Sequence, residues 1–337
     1  MNAVQNLKVE LDEADMRLDR WFKAHFPGLG FGQLQKLLRS GQIRVDGGRV
    51  KSSTRLLEGQ MVRVPPLNSA IAGKKVDGQT KAAWKEDDYT FLRSLIMHED
   101  DQVMVLNKPY GLAVQGGSGL TRHVDGMLEA FRDKKGQKPR LVHRLDRDTA
   151  GVLLIAKTRA AAKSMAESFR ARDTRKTYWA VVKGVPRPLE ARVSTHLVKE
   201  ATADGDRMRI ARHGEPDADH AVTHYRVVER AGDQLAWLEL RPITGRTHQL
   251  RIHTQYMGTP IIGDPKYFDI ENWDMPGGIQ HRLHLHAHRI IIPHPAPHLG
   301  VPVLDITAPL PPHMKQTFNL LGFDEQSAAD MDEEGDF

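Results

Sequence analysis

Residues 141–158, LVHRLDRDTAGVLLIAKT, constrain the fold of this chain more than any other segment. The apolar run at 152–156 predicts a strand that is buried in a core. Directly before it, Asp146 lies between Arg144 and Arg147, a density of charge that is typical of a solvated loop. The sequence therefore places an acid, surrounded by arginines, at the end of a core strand.

Two interpretations of Asp146 follow from these residue types. If the carboxylate is partly buried, desolvation drives it towards its neutral form, and a nearby arginine keeps it ionised and hence nucleophilic or basic. Arg144 shares a face of an extended chain with Asp146. Arg246 and Arg251, in the segment ITGRTHQLRIH, can approach from another element. On residue types alone, a structural Arg–Asp cluster that ties down a loop is favoured over a catalytic acid.

The composition limits the classes of protein that are possible. The chain has 337 residues, of which 40% are hydrophobic, so it can form one large domain and a smaller one. It has no cysteine, which excludes disulfides and thiolate chemistry and suits a reducing compartment. No apolar run approaches the roughly 20 residues that span a bilayer, and the polar N-terminal segment has no signal-peptide pattern. We expect a cytoplasmic protein without membrane contact.

The charge is unevenly distributed along the chain. The net charge is +5, yet residues 323–337 hold seven acids and no Lys or Arg, which leaves 48 basic and 36 acidic residues in 1–322. A basic body suits a polyanionic partner, although a soluble basic protein without such a partner is equally consistent with the charge. Residues 323–337 are predicted to be a disordered acidic tail, which is favoured over a regulatory segment.

The N-terminal part, 1–66, is predicted to form a small separate module. Apolar residues at helical spacing predict one helix around Trp21 and a second around Leu37 that ends at Gly41. A hairpin that turns at Asp46-Gly47 follows. Ten Lys or Arg residues and three acids lie between 17 and 63. This charge predicts a surface for RNA, and a solvated helix face is the alternative.

A resemblance supports the first of these alternatives. The stretches RLDRWFKAHFPG and FGQLQKLLRSGQIRVDGGRV resemble the S4 domain, an RNA-binding module with an αL motif. The resemblance implies that the module binds RNA through basic side chains. The candidates are Arg17, Arg20, Lys36, Arg39 and Arg44.

The rest of the chain predicts a linker at 67–98 and a larger domain at 99–322. The linker is rich in lysine and small polar residues without a clear period. The domain has strands in VMVLN, YWAVVKG, VTHYRVVE and LAWLEL, and helices around Met165 and Leu250. The order of these elements is mixed rather than strictly βαβ, so the fold class is α+β. We expect a mixed, largely antiparallel sheet with flanking helices.

Five ordered motifs of the larger domain carry a second resemblance. HRLDRDTAGVLL, NKPYGLAVQGGSGL, RKTYWAVVKG, ITGRTHQLRIH and RLHLHAHRI resemble the signature segments of the RluA-type pseudouridine synthases. With the S4-like module in front, the chain is most similar to the RluC-like branch, whose members act on large-subunit ribosomal RNA. Ala150 departs from the signature, which often has Ser at that position.

The resemblance implies isomerisation of specific uridines to pseudouridine in large-subunit (23S) ribosomal RNA. The uridine is flipped out, its N1–C1′ bond is cleaved, and C5 of the uracil bonds to C1′. A carboxylate is required, the detached base must be retained, and water must be excluded. No electrons or groups leave the system, so neither a cofactor nor a metal is expected. Whether the carboxylate attacks C1′, attacks C6 or acts as a base stays open.

The motifs assign roles to individual residues by the same resemblance. Asp146 matches the catalytic aspartate, Arg251 its arginine partner, and Tyr178 the tyrosine that stacks on uracil and acts in proton transfer at C5. Arg144 matches the arginine that helps to displace the base, and we add Lys108 and Arg246 as RNA contacts. Leu250 is expected to form a wall of the uracil pocket, and Thr149 and Gly151 are expected to lie in a turn.

Other features of the sequence suggest alternative functions. Alternating His284, His286 and His288 could hold a metal, which would suggest a metal-dependent RNA hydrolase, but the run lacks an acid and we expect no metal. A catalytically inactive RNA-binding protein would be expected to lose one of Asp146, Tyr178 and Arg251. A pseudouridine synthase that acts on tRNA remains an alternative substrate assignment. We expect a monomer with ribosomal RNA as its partner.

Overall fold

The computed structural model describes most of the chain. The described residues are 4–10, 13–14, 16–26, 28–67, 78–116, 122–133, 137–202, 205–268, 273, 276–297 and 300–328, with backbone alone at 78–85, 201–202 and 205–206. The chain divides into two compact units, Met1–Asp88 with Ala130–Lys138 and Tyr89–Glu129 with Pro139–Phe337. No helix of the described residues is long and apolar enough to cross a membrane.

The first unit contains two helices and a small antiparallel sheet. Its elements are β1 (Gln5–Lys8), α1 (Leu18–His25), α2 (Phe31–Arg39), β2 (Arg44–Val45) and β3 (Met61–Val64). The sheet order is β1-β3-β2. Trp21, Leu38 and Val62 are buried in its core, because the apolar positions of the helices recur on one face. Both predicted helices are confirmed.

A helix occupies part of the segment that the sequence indicated to be a linker. Helix α3 spans Gly78–Ser94, and strand β4 follows at Ile96–Glu99. The sequence analysis missed this helix, and 68–77 lie outside the described residues. Intrinsic propensity explains the error, because a segment such as KAAWKEDDYTFLR has good helix formers but no clear apolar period.

The second unit alternates strands with a few helices. Its further strands are β5 (Val103–Lys108), β6 (Arg140–Leu141), β7 (Ala150–Ala156), β8 (Arg175–Lys183), β9 (Glu190–Thr202), β10 (Gly205–Ile210), β11 (Asp219–Ala231), β12 (Leu235–Pro242), β13 (Leu285–Pro293) and β14 (Val303–Thr307). Its helices are α4 (Val124–Met127), α5 (Arg159–Ala171), α6 (Gln249–Tyr256) and α7 (Pro312–Leu321), with a 3₁₀ helix at Leu128–Phe131.

These strands form one large sheet of eleven strands within the described chain. The order is β10-β9-β11-β12-β8-β13-β7-β5-β4, with β14 beside β13 and β6 beside β7. The pairing of β13 with β7 is parallel, and the other pairs are antiparallel, as in β12 with β8. The predicted α+β class with a largely antiparallel sheet is confirmed.

Strand β7 is the core strand that the sequence indicated, and it fixes the loop that holds Asp146. All of its residues are buried. The backbone N–H of Thr149 donates to the carbonyl of Asp146 (3.2 Å), which closes a turn before the strand. Gly151 lies inside β7 rather than in the turn. A Cβ there would lie 2.1 Å from the carbonyl oxygen of Ala287, so the close approach of β13 requires glycine.

The beginning of the acidic segment is part of the second unit. Phe323 and Ala328 are buried in a core cluster with Trp237. The carbonyl of Ala328 accepts a hydrogen bond from Arg226 Nη2 (3.3 Å). The prediction of disorder from residue 323 was therefore wrong for 323–328, because two apolar side chains in this short stretch find a place in the core. Residues 329–337 lie outside the described residues.

Candidate active site

An open pocket on the second unit brings together the motifs at 141–151, 175–184 and 243–253. It is lined by the loop between β6 and β7, by β8, and by the segment from the end of β12 into α6. Asp146, Tyr178, Leu250 and Arg251 all line this pocket. Three segments that are far apart in sequence therefore converge on the acid that the sequence analysis singled out.

Arg251 connects Asp146 to a second, fully buried acid. Its Nε and Nη2 donate to the two carboxylate oxygens of Asp264 (2.7 and 2.6 Å). Its remaining nitrogen, Nη1, donates to Asp146 Oδ2 at 3.4 Å. Asp264 also accepts the backbone N–H groups of Lys266 and Tyr267. The bidentate pair with Asp264 thus fixes the guanidinium, and the remaining nitrogen, Nη1, points at Asp146.

Tyr178 faces the same pocket from strand β8. Burial, and secondarily the negative charge of Asp146, raise the pKa of the Tyr178 hydroxyl well above its ordinary value. The phenol is therefore protonated at neutral pH, and its hydroxyl can donate a hydrogen bond or relay a proton. Leu250, only 5% exposed, lies at the start of α6 and lines the pocket with its apolar side chain.

Two of the predicted RNA contacts are exposed at the pocket, Arg144 and Arg246. Arg144 Nη1 donates to Gln115 Oε1 at 3.4 Å. Arg246 donates to the carbonyl of His220 (3.2 Å) and pairs with Asp219 (3.2 Å). Both guanidinium groups are therefore accessible to a molecule in the pocket.

Lys108 does not contact the pocket, and the expectation that it contacts RNA was wrong. It is fully buried, and its ammonium donates to the carbonyls of Pro109, Leu112 and Arg147 at 2.9–3.0 Å. Burial lowers the pKa of Lys108 to about 7, against the opposing effect of the acids at 148 and 146. Its three donors are satisfied by carbonyls, so the residue ties the loop after β5 to the loop that carries Asp146.

The five basic residues predicted to bind RNA in the first unit are all exposed. Arg17 pairs with Asp19 (2.6 Å), and Arg44 donates to the carbonyls of Gly41 and Gly47. Lys36 and Arg39 lie on the exposed side of α2, and Arg20 lies on α1. These positions are compatible with a basic surface.

The histidines that suggested a metal have separate partners; His284 and His286 are fully buried, and His288 is half-buried. His284 bonds to Thr317 Oγ1 (2.8 Å), His286 bonds to the carbonyl of Ala308 (3.0 Å), and His288 stacks on Trp179. Burial lowers their pKa values to about 3, 4 and 3. No group of three or more potential ligands exists among the described residues, so these imidazoles act there as neutral core side chains.

Four residues near the acid were missed by the sequence analysis: Lys176, His248, Asp264 and Tyr267. Lys176 and His248 stand inside quoted motifs and line the pocket. Burial lowers the pKa of Lys176. Asp264 and Tyr267 contact Arg251 only through the tertiary fold, and no local spacing indicates that contact. A glycine and proline flank Asp264 in IIGDPKY, which marks a turn rather than a site.

The fold and the pocket define an enzyme with an arginine-held carboxylate beside a tyrosine, and comparisons with known proteins agree with this class. The family model described as RNA pseudouridylate synthase matches residues 102–256. A human structure, RNA Pseudouridylate Synthase Domain Containing 4, aligns with TM-score 0.59 at 30% identity and covers 72% of this chain and 98% of its own. A second human structure, RNA Pseudouridylate Synthase Domain Containing 1, aligns with TM-score 0.51 at 25% identity and covers 68% of this chain and 94% of its own.

Curated relatives cover nearly the whole chain. Ribosomal large subunit pseudouridine synthase C of Pasteurella multocida (strain Pm70) is 37% identical over 326 residues, 95% of this chain and 94% of the relative. The protein of that name from Escherichia coli (strain K12) is 35% identical and covers 95% and 97%. The chain belongs to the RNA pseudouridylate synthases, a family of isomerases, which confirms the resemblance stated from the motifs.

Proposed function

We propose that this protein converts uridines of large-subunit ribosomal RNA to pseudouridine, with Asp146 as the essential carboxylate. The observation that carries the proposal is the pocket in which Asp146 Oδ2 meets Arg251 while Tyr178 and Leu250 face the same space. The names of the relatives supply the RNA class, and the pocket supports the chemistry.

The first step is the entry of a flipped uridine. Arg144 and Arg246, exposed at the pocket, are positioned to contact the phosphates and to occupy the space that the base leaves. Flipping costs a few kcal/mol of stacking, which these contacts must offset. Inside, the uracil stacks on the ring of Tyr178, and Leu250 excludes water from one side.

The second step is the rearrangement of the base on the sugar. The N1–C1′ bond breaks and the electron pair leaves with the uracil, while the carboxylate of Asp146 stabilises or traps the electron-deficient partner. The uracil turns, C5 bonds to C1′, and the hydrogen at C5 leaves as a proton while N1 gains one. The hydroxyl of Tyr178, protonated at neutral pH, can relay this proton by donating its own to N1 as it accepts the one from C5. Exclusion of water prevents loss of the base by hydrolysis.

The first unit has a separate role in this proposal. Its exposed basic residues would hold RNA by phosphate contacts, as the resemblance to the S4 domain implies. Such contacts position the substrate without reading its sequence. We propose that the protein acts as a monomer in the cytoplasm, where ribosomal RNA is made.

The test is release of tritium from RNA transcribed with uridine labelled at C5. Wild type is expected to release tritium from large-subunit RNA and to form pseudouridine, whereas Asp146→Asn is expected to release none within detection while it binds the RNA with affinity within about threefold, because the amide keeps the shape but loses the charge. Asp148→Asn is the matched control. It removes the same charge from the same loop, where the acid pairs with Arg147, and we expect it to stay active.

Each other outcome points to one of the alternatives. RNA binding without tritium release from ribosomal RNA or tRNA would indicate an inactive binding protein. Release from tRNA alone would reassign the substrate. Cleavage of the RNA strand without pseudouridine would indicate an RNA hydrolase, and sensitivity of that activity to a strong chelator would implicate a metal.

A further inference from the structure

His248 lies beside the carboxylate of Asp146 and has no role in the steps above. Its Nε2 is 3.7 Å from Asp146 Oδ2, the same oxygen that Arg251 contacts. The imidazole is 13% exposed and lines the pocket. Its backbone has φ +53°, a left-handed conformation that is uncommon for a residue other than glycine and is often retained at functional sites.

Tyr267 Oη is the hydrogen-bond partner of His248 Nδ1 and can set which nitrogen of the imidazole carries the hydrogen. The backbone N–H of Met208 donates to Tyr267 Oη (2.9 Å), so the hydroxyl hydrogen is free to donate to His248 Nδ1, 2.7 Å away. Burial raises the pKa of Tyr267, which keeps that hydrogen in place. With Nδ1 as acceptor, a neutral imidazole carries its hydrogen on Nε2 and directs it to Asp146.

The surroundings of His248 favour the neutral form. Burial lowers the pKa of His248, and the negative charge of Asp146 opposes that shift. The other charged groups that act on this side chain are Arg251, Lys266 and Asp264. Tyr267 also lies against Arg251, whose guanidinium carbon is 5.0 Å from the centre of the ring. The Tyr267 side chain thus contacts both groups that face Asp146 Oδ2, His248 and Arg251.

We propose that His248 is a positioning residue that holds Asp146 Oδ2 together with Arg251 and leaves Oδ1 as the oxygen that reacts with the nucleotide. Both side-chain contacts of Asp146 in the described chain involve Oδ2. The 3.7 Å between His248 Nε2 and Asp146 Oδ2 is longer than a hydrogen bond. Contacts between catalytic groups are often long without substrate and shorten to hydrogen bonds when substrate binds. The inference rests on the proposed catalytic role of Asp146.

Three substitutions separate the possible reasons for a histidine at this position. His248→Gln keeps an N–H donor at about the position of Nε2. His248→Phe keeps the ring and its volume without a donor. His248→Asn suits the left-handed backbone best, but its amide is too short to reach Asp146. The readout is the single-turnover rate of tritium release and the affinity for unmodified RNA, measured in the full-length protein.

We expect the Gln variant to react within about threefold of wild type. The Phe and Asn variants should slow about tenfold to a hundredfold, as is typical when a group that orients a functional side chain is lost. RNA affinity should stay within about threefold in all three, since His248 acts on the acid and not on the phosphates. Wild-type rates for Phe and Asn would overturn the inference, as would a Gln variant as slow as Phe. An active Asn variant beside a slow Phe variant would assign the position to the backbone instead.

Tyr267→Phe tests the same arrangement from its other end and keeps the ring that packs on Arg251. We expect a loss of severalfold in rate, and no further loss when it is combined with His248→Phe, because the hydroxyl acts through the imidazole. Additive losses would contradict the link. If a His248 variant fails to fold, Tyr267→Phe by itself still tests the positioning role of His248.

Asp146→Asn assayed in parallel separates this inference from the proposed function. Activity in Asp146→Asn would remove the proposed role of Asp146, and the inference would fall with it. An inactive Asp146→Asn beside a fully active His248→Phe would overturn the positioning role alone.

Discussion

At the scale of single residues, Arg251 contacts two acids with different geometry. The difference distinguishes a structural acid, Asp264, from the proposed catalytic acid, Asp146. Asp264 accepts two short hydrogen bonds from the guanidinium and is fully buried, whereas Asp146 accepts one at 3.4 Å and keeps 22% of its side chain exposed. Removal of one partner from a buried pair costs about 3–5 kcal/mol, so Asp264 anchors the arginine. Asp146 stays accessible to a substrate.

Tyr178→Phe tests whether the hydroxyl of Tyr178 takes part in proton transfer. The change keeps the ring that is proposed to stack on uracil and removes the hydroxyl, the only group of this side chain that can donate or relay a proton. We expect the single-turnover rate to fall by about a hundredfold or more, as for loss of an acid–base group, with RNA affinity within about threefold. Near-normal release of tritium would restrict Tyr178 to stacking, and a loss of RNA affinity of the same size would show that the hydroxyl serves binding.

At the scale of elements, three neutral histidines lie on and beside strand β13. They pack against helix α7 and the neighbouring strands. His286 and His288 belong to β13, and His284 directly precedes it. Burial lowers the pKa of each imidazole to about 3 or 4. The unfolded chain, with an ordinary histidine pKa of about 6.5, therefore binds protons first as the pH falls. Stability should decrease from about pH 6.5 downwards.

This linkage predicts a pH-dependent free energy of unfolding with a defined contribution from β13. Each buried histidine should contribute about 1.4 kcal/mol of the stability lost between pH 7.5 and 5.5. Urea unfolding of His286→Gln should show a smaller difference between these pH values by about that amount, whatever its absolute stability. His281→Gln, at an exposed position, should keep the wild-type difference. An unchanged difference in His286→Gln would mean that His286 is protonated in the folded state.

At the scale of the whole molecule, the proposal assigns binding to one unit and chemistry to the other. The first unit carries exposed basic residues on α1 and α2, and the second holds the pocket with Asp146. Phosphate contacts would then dominate affinity while the pocket selects the reaction. The two functions should therefore respond separately to substitution.

Lys36→Gln with Arg39→Gln tests this division in the full-length protein. If both side chains contact phosphates, the slope of log affinity against log salt should fall by about 2, and the single-turnover rate at saturating protein should change less than threefold. Lys163→Gln with Arg170→Gln on α5 is the matched control, with the same change in net charge at exposed positions. Equal slopes in both pairs would show that α2 is not an RNA anchor and that net charge alone matters.

The sequence by itself determined most of the elements and indicated the residues that we propose to carry the chemistry. The apolar run of β7, the helical spacing around Trp21 and the ordered motifs are local patterns, and local patterns reflect burial and backbone propensity. Asp146, Tyr178, Leu250 and Arg251 were identified because they stand inside such motifs, and the structure places all four on one pocket.

The tertiary structure alone decided which polar groups meet. Lys108 is buried under three carbonyls, Phe323 joins a core, and Tyr267 reaches His248 across 19 residues of sequence. None of these contacts has a local period, because each depends on how distant elements are packed. A charged side chain near a motif can therefore bind RNA or hold a loop, and only its burial and its hydrogen-bond partners distinguish the two.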